Sequence, residues 1–406
     1  MLLIHKEWHS KENRQLKLVR GIIMRTGIVG LGLRAGNVLK MMQADMPELE
    51  LVGYVDPDPC GLPLLEGVSN QPQQYDSVET LIAKCKLDLL WVASPNHLHL
   101  GHIRAGLEAG LKVFTEKPIV ITKSESFSLA KLIRKYGENQ LLVGLVLRYS
   151  QHMRELRRAI DAGMLGRITS MEANEHIAPY HGSFFMRDWR RLEKYSGGFM
   201  LEKCCHDLDI YNNVVGDRPI RVASFGGRGN FVPEESPGNE HDDVYQQKLS
   251  YWESVDDPFT SDADIVDHQN ALLEYPNDVS FSFHTSINVP DEHRRFCIIG
   301  SRGMAEGDFM RGDLRITDAR TGNCIEDHKF NYLSTEIAGN YPAHYGADQL
   351  MCTDIIAFLR GQSDSLPVGP KDALEAGLVA MAIDESRSNG KIIDMTDTWQ
   401  ELDSLY

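Results

Sequence analysis

Glu202, His206 and Asp209 stand four and three residues apart in a stretch free of helix breakers. On a helix that spacing puts all three on one face. A carboxylate beside an imidazole fixes its tautomer and raises its basicity, so the group can supply a general base. The spacing leaves open whether Glu202 or Asp209 orients His206. Glu202 and His206 also suit a metal ion, but no third ligand stands at a useful spacing, so no metal is expected. The second constellation is Glu116-Lys117-Pro118. Alone it reads equally as a surface lysine in a turn. Beside a base, an ammonium stabilises the alkoxide that forms as a hydroxyl loses its proton. A base and a cation around one hydroxyl are what an alcohol oxidation needs, because the proton must leave as hydride departs.

Gly30, Gly32, Leu33 and Ala35 carry a third motif, G-x-G-x-x-A. The first glycine permits a tight turn. The second lacks a Cβ and lets a pyrophosphate approach the backbone. The small last residue lets the following helix pack closely, with its N-terminus facing the phosphates. Asp56 closes the next apolar run. A carboxylate there accepts from both ribose hydroxyls of an adenosine and repels a 2′-phosphate. Pro57, Asp58 and Pro59 bring no arginine to that point. The expected ligand is NAD rather than NADP, held by Gly30, Gly32, Leu33, Ala35 and Asp56. A glycine turn that binds nothing is the plain alternative.

These residues need elements to hold them. Thr26–Leu31 is an apolar run through glycine, Ala35–Met46 has helix formers, and Leu49–Val55 is a second apolar run: strand, turn, helix, strand. Helical patterns over Val78–Lys84, His99–Ala109 and Ser124–Tyr136 alternate with strand patterns over Leu87–Ala93, Lys112–Thr115 and Leu141–Leu145. Such alternation predicts a doubly wound parallel α/β sheet. Beyond residue 146 come a helix over His152–Ala162, a strand over Ile168–Asn174 and an aromatic, basic segment from Tyr180 to Arg191. Gly197-Gly198 leads into a helix over Phe199–Val215. Strands between 222 and 316, among them Val279–Ile287 and Arg295–Ile299, predict a large open, mainly antiparallel sheet. Residues 229–267 read as a long polar surface excursion. Two helices, Asp348–Leu359 and Lys371–Asn389, close the chain. The expected division is an N-terminal extension (1–24), an NAD-binding Rossmann domain (25–145) and an α/β domain for substrate binding and oligomerisation (146–406).

Lys and Arg total 42 against 58 Asp and Glu in 406 residues, a formal charge of −16. Such a surface repels phosphate backbones and argues against nucleic acid as a partner. No apolar run is long enough to span a bilayer, so no membrane partner is expected. Lys6, Glu7, Lys11, Glu12, Arg14 and Lys17 break up any signal-peptide core. Residues 1–24 read as an extension, or as sequence upstream of a start at Met24. Seven scattered cysteines, with no export signal, read as reduced thiols in a cytoplasmic protein. Cys204 and Cys205 are neighbours, cannot easily close a disulfide, and read as small packing residues.

Taken together, the Gly30–Ala35 turn with Asp56, Ser94-Pro95-Asn96-His97-Leu98-His99, Glu116-Lys117-Pro118, Gly197-Gly198 and the Glu202–Asp209 segment resemble the Gfo/Idh/MocA family of sugar and cyclitol oxidoreductases. The resemblance covers nearly all of residues 25–390. It implies a Rossmann domain followed by an α/β domain whose open sheet forms dimer or tetramer contacts. It implies that Lys117 and His206 flank the substrate hydroxyl. Ser94, Pro95, Asn96 and His99 would line the cofactor side of the cleft, with Glu116 and Lys117 near it. The family usually has Asp where Glu202 stands and often Gly at Cys204. Lys203 is expected to face away from His206 and receives no catalytic role. Arg148, Tyr180, His181, Arg187, Trp189 and His344 are candidate substrate contacts, since arginines and aromatics suit polyols and carboxylated sugars. Packing or surface charge is the alternative for each, and His344 with Asp348 reads also as a helical pair. The implied reaction moves a hydride between NAD and a secondary hydroxyl of a sugar, inositol or sugar acid. NAD-assisted cleavage of a glycoside and a non-catalytic dinucleotide sensor are the alternatives.

Overall fold

The computed structural model describes residues 23–67, 71–238, 244–245, 249–330 and 343–406. The expected extension over 1–24 lies outside them apart from its last two residues, and so does part of 229–267. The chain divides into two compact units, Met1–Trp91 and Val92–Tyr406.

The first unit opens with β1 (Met24–Val29), α1 (Leu33–Asp45), β2 (Leu49–Val55), the short β3 (Gln73–Gln74) and α2 (Val78–Lys84). β1 and β2 run parallel. The last four residues of β1 are all buried, the pattern of a strand covered on both faces. A Cβ at Gly27 would come within 2.9 Å of Leu87, so glycine here serves close packing. β4 (Leu89–Val92), wholly buried, carries the division between the units.

α3 (His99–Glu108), β5 (Lys112–Thr115), α4 (Lys123–Tyr136) and β6 (Leu141–Val143) follow. Thr122 and Glu125 form a reciprocal capping box at the start of α4, satisfying two otherwise orphaned N–H groups. The strand order β3-β2-β1-β4-β5-β6 is that of the expected parallel sheet.

The chain continues through α5 (Gln151–Asp161), β7 (Ile168–His176), α6 (Pro179–Arg187), the single turn α7 (Glu193–Ser196), α8 (Phe199–Val215) and β8 (Arg221–Gly227). Six further strands then form: β9 (His268–Tyr275), β10 (Val279–Ser286), β11 (Arg295–Gly300), β12 (Gly303–Asp308), β13 (Asp313–Asp318) and β14 (Cys324–Lys329). The ending is α9 (Ala347–Leu359), α10 (Pro370–Asn389), β15 (Ile393–Asp394) and α11 (Thr396–Leu405). Among the described residues the second sheet has the order β14-β13-β12-β11-β7-β10-β9-β8-β15. Every recorded pair in it is antiparallel except β7 with β10, which is parallel.

Burial alternates along β9 and β10, so one sheet face is covered and the other open. α10 packs on both α8 and β8. The open face shows Phe225 at 75%, Leu272 at 61% and Ile392 at 65% exposure. No helix among the described residues is long and apolar enough to cross a membrane.

Two expectations fail. A third helix, α11, ends the chain; Trp399 and Leu402 are buried on one side of it, and the Trp399 indole donates to the Pro219 carbonyl at 2.7 Å. The described parts of 229–267 are also not a loose excursion. Phe231, Phe259, Ile265 and Val266 are buried, and the buried Asp267 carboxylate accepts from the N–H groups of Gly229, Asn230 and Phe231. Arg228 donates to the carbonyls of Pro258, Ser261 and Ala263, tying the segment to itself.

His152 is sealed among aromatics, with Phe309 at 4.5 Å and Phe330 at 4.6 Å. Burial pulls its pKa from 6.5 down to about 4. The folded protein therefore binds fewer protons than the unfolded chain between those values. The stability this confers is complete above about pH 6.5 and is lost as pH falls toward 4, by roughly 3 kcal/mol. Urea unfolding from pH 7 to 4.5 is expected to fall less steeply in His152→Leu than in the wild type. Equal slopes would remove His152 as a source of acid sensitivity.

Candidate active site

In the first unit, β1 ends at Gly30, whose φ of 84° needs glycine. The Gly30 N–H donates to the Val55 carbonyl at 2.9 Å, tying the turn to the end of β2. The Leu31 N–H donates to one Asp56 carboxylate oxygen at 2.6 Å, and the Asp58 N–H to the other at 2.8 Å. Asp56 thus holds the glycine turn itself, and each oxygen keeps a further lone pair for a ribose hydroxyl. Burial shifts its carboxyl upward against those two donors. α1 begins at the exposed Leu33 with no side-chain cap and no acidic residue in its first turn, so its positive end is unneutralised. A Cβ at Gly32 would meet open space, whereas one at Gly36 or Gly61 would strike backbone at 2.6 or 2.2 Å. Gly36 and Gly61 therefore bring the 57–61 turn against the motif, and Ala35 is buried beside them. Gly32 has no such packing duty; its bare backbone at a helix N-terminus fits the pyrophosphate of a dinucleotide.

In the second unit, Glu116 and Lys117 follow β5, and the Lys117–Pro118 bond is cis. Gly197 and Gly198, with φ of 82° and 94°, end α7 and start α8. The Glu202 N–H then closes the first turn of α8 on the Gly198 carbonyl. Glu202 is buried and fully engaged. It accepts from the Asn96 amide at 2.6 Å and the Arg190 guanidinium at 3.0 Å, and pairs with the Lys117 ammonium at 3.5 Å. Lys117 also donates to the Glu202 backbone carbonyl. Burial pushes the Glu202 carboxyl up, but Lys117, Arg190 and Asn96 together hold it below its ordinary value. It is a charged anchor for Lys117.

His206, one turn along, is buried at 3% exposure, and its Nδ1 has no hydrogen-bond partner among the described residues. Its ring centre lies 5.8 Å from that of His344, which pairs with Asp348 at 3.1 Å. Burial, then the charges of Lys117, His344, Arg294 and Lys203, hold its pKa well below 6.5. The imidazole is neutral at physiological pH and free to take a proton. Neither carboxylate orients it. Glu202 serves Lys117, and Asp209 accepts two bonds of 2.9 Å from Arg148.

Several expected contacts are corrected by the same geometry. Arg148 is buried between Asp209 and Asp372, so it is an internal clamp rather than a substrate contact. Arg187 donates to the carbonyls of Tyr245 and Val255 and fastens the 229–267 segment. Trp189 is buried, stacked at 5.7 Å and 9° on Trp252, with the Arg190 guanidinium 4.2 Å over it. Asn96 spends both N–H groups on Ser196 and Glu202. His99 is buried with its two ring nitrogens each 2.8 Å from a carbonyl, of Ser94 and of Pro118. It ties those two loops together instead of lining a cleft. Ser94 turns its hydroxyl to His102 at 2.9 Å, and Pro95 precedes the 3-10 turn that carries Asn96. Glu116 is buried, and Gly144 leaves room for its carboxylate. Tyr180 is 41% exposed and stacks on His181, which stacks in turn on Phe185.

Lys203 does not turn away. It pairs with Glu175 of β7 at 3.1 Å, and its charge acts on both His206 and His181. Glu175 also binds Arg294 at 2.7 Å, and Arg294 reaches Asp207 at 2.6 Å. Arg190, Glu175 and Arg294 were not legible as site residues. Arg190 had a local signal, an arginine beside Asp188 and Trp189. The other two meet α8 only through the sheet.

Residues 24–145 match the model of an oxidoreductase family with an NAD-binding Rossmann fold, and 153–306 match a GFO/IDH/MocA C-terminal domain. The Bacillus subtilis (strain 168) protein YteT is 25% identical over 424 residues, covering 91% of this chain and 97% of that one. Inositol 2-dehydrogenase of Rhizobium meliloti (strain 1021) is 24% identical over 204 residues, 50% of this chain and 58% of that one. Among solved structures, levoglucosan dehydrogenase with NADH and levoglucosan superposes with a TM-score of 0.72 at 16% identity, over 91% of this chain and 99% of that one. Scyllo-inositol dehydrogenase from Lactobacillus casei, with NAD(H) and scyllo-inositol, gives 0.69 at 18%, over 92% and 100%.

Proposed function

The chain belongs to the Gfo/Idh/MocA family of NAD-dependent oxidoreductases, and we propose that its substrate is a secondary hydroxyl of a sugar, inositol or sugar acid. The observation that carries this reading is the pairing of a neutral, unpartnered His206 with a Lys117 ammonium anchored by the buried Glu202. His206 takes the hydroxyl proton. Lys117 stabilises the alkoxide as it develops. Glu202, itself oriented by Asn96 and Arg190, keeps Lys117 in place. NAD, bound through Gly30, Gly32, Leu33 and Asp56, supplies the hydride acceptor. The polyol ligands named for levoglucosan and scyllo-inositol dehydrogenases support the substrate class.

The exposed Phe225, Leu272, Ile299 and Ile392 on the open sheet support a homodimer or homotetramer built on that face. All seven cysteines are free, which supports the cytoplasm as the compartment.

The test is absorbance of reduced nicotinamide with purified protein, NAD or NADP, and a panel of hexoses, inositols, sugar acids and glycosides. A rise with NAD, weaker with NADP, is expected. Sugar released from a glycoside without accumulating NADH would move the reading to NAD-assisted glycoside cleavage. Cofactor binding with no turnover anywhere on the panel would leave a sensor.

A further inference from the structure

We propose that the substrate carries a carboxylate, and that Lys203 is the residue that recognises it. The proposal rests on the dehydrogenase reading above and narrows it to polyol acids.

Residues 202, 203 and 206 fix the layout. On an α-helix Glu202 lies about 40° to one side of His206 and Lys203 about 60° to the other. Glu202 brings the Lys117 ammonium to its side through its carbonyl and carboxylate. Lys203 supplies an ammonium on the other. The proton-accepting imidazole is thus flanked by two cations, only one of which the oxidation uses.

Three ion pairs around His206 and Lys117 share one sense. Glu202 is 6% exposed against 18% for Lys117, Glu175 is 2% against 16% for Lys203, and Asp188 is 0% against 27% for Arg190. In each pair the carboxylate lies behind and the cation in front. The more exposed side of these three pairs is cationic in a chain whose formal charge is −16. A local field opposed to the global one is suited to drawing an anion to one place. Lys117 and Lys203 lower the pKa of both His206 and His181, as cations facing the same space do.

Among these cations Lys203 has donors to spare. Arg190 is shared between two carboxylates and stacked on Trp189. Among the described residues Lys203 has one partner, Glu175, whose other oxygen already binds Arg294. An ammonium has three donors, so two remain for a ligand. Lys117 engages the reacting hydroxyl, and a carboxylate on Lys203 would fix which hydroxyl of a polyol that is.

The experiment uses the intact enzyme with NAD and matched pairs of substrate, hexuronates against hexoses and aldonates against alditols. The acid of the preferred pair is expected to have a kcat/KM at least about thirtyfold above its neutral partner, the worth of one charged hydrogen bond. Lys203→Gln is expected to shrink that ratio to within about threefold, mainly through KM, and Lys203→Arg to restore part of it. Calorimetry of the same acids on the NADH-bound protein gives an independent readout, with binding lost in Lys203→Gln. Neutral substrates turned over as well as their acids, a ratio unchanged in Lys203→Gln, or no binding of any acid would each overturn the proposal. Acid binding that depends on Lys203 without any hydride exchange would sustain it and instead defeat the dehydrogenase reading.

Discussion

Lys117→Met is expected to lower kcat by about a thousandfold. The methionine fills the space of the lysine stem, and Glu202 keeps Asn96 and Arg190, so the fold has no reason to fail. What disappears is the cation beside the developing alkoxide. One preorganised donor at such a position is worth roughly 3–4 kcal/mol, a factor of 10² to 10³. The same cation contributes to the low pKa of His206, so the variant raises that pKa as well. The sign of the pH effect follows. A base must be unprotonated, and a depressed pKa keeps wild-type activity flat through neutrality, lost only as pH falls through a value well below 6.5. In Lys117→Met the acid limb moves upward in pH; in His206→Asn it vanishes. Single-turnover reduction of NAD across pH 5–8 reads both effects. A Lys117→Met rate within tenfold of wild type would remove Lys117 from the chemistry. Lys117→Arg is not expected to rescue, since the guanidinium fork does not place a point charge where the ammonium sits.

The largest expected loss of stability comes from Arg294→Met. Arg294 is 1% exposed and bridges Glu175 at 2.7 Å and Asp207 at 2.6 Å, both carboxylates being buried. With its two cations Glu175 stays below the ordinary carboxylate range, whereas burial and the neighbouring Glu175 push Asp207 up to about 6. Removing the guanidinium strands Asp207 and leaves Glu175 with Lys203 alone, and breaking a buried pair this way costs about 3–5 kcal/mol. Both pKa values then rise, Asp207 from its already raised value, so the folded variant holds protons that the unfolded chain releases. The deficit is greatest at pH 7 and shrinks as pH falls toward 5. Chemical denaturation at both pH values checks size and sign. Adding Asp207→Asn should recover part of the loss. A deficit under about 1 kcal/mol at pH 7 would mean that the network does not hold β7 to α8.

Local chemistry is what the sequence shows best. The glycine turn, Asp56 and α8 need only neighbours in the chain, and the bounds of α8, Phe199–Val215, are those its sequence predicts. Helix α11 has a weak local signal, two apolar residues, Trp399 and Leu402, three apart in a short polar stretch. Residues 229–267 read as a surface excursion because polarity in a sequence does not distinguish a solvated side chain from a buried, hydrogen-bonded one. Asp267, Arg228 and Arg187 are polar and serve as fasteners. The roles of charged residues were the least legible. Spacing puts Glu202 and Asp209 beside His206, but which cation claims each one depends on loops and strands far along the chain. Lys117 claims Glu202 across 85 residues, and Arg148 claims Asp209 across 61.

Among the described residues, the one parallel pair in the second sheet bears on the order of folding. β7 and β10 run side by side, and the Thr285 hydroxyl meets the Glu175 carbonyl across 110 residues of chain. The whole of α8 lies inside that crossover. A helix of its length forms in microseconds from local signals, but closing so long a loop and registering its strands is slow. Lys203 and His206 therefore reach their places with β7 and not with their own helix. During refolding, helical signal should return well before turnover does.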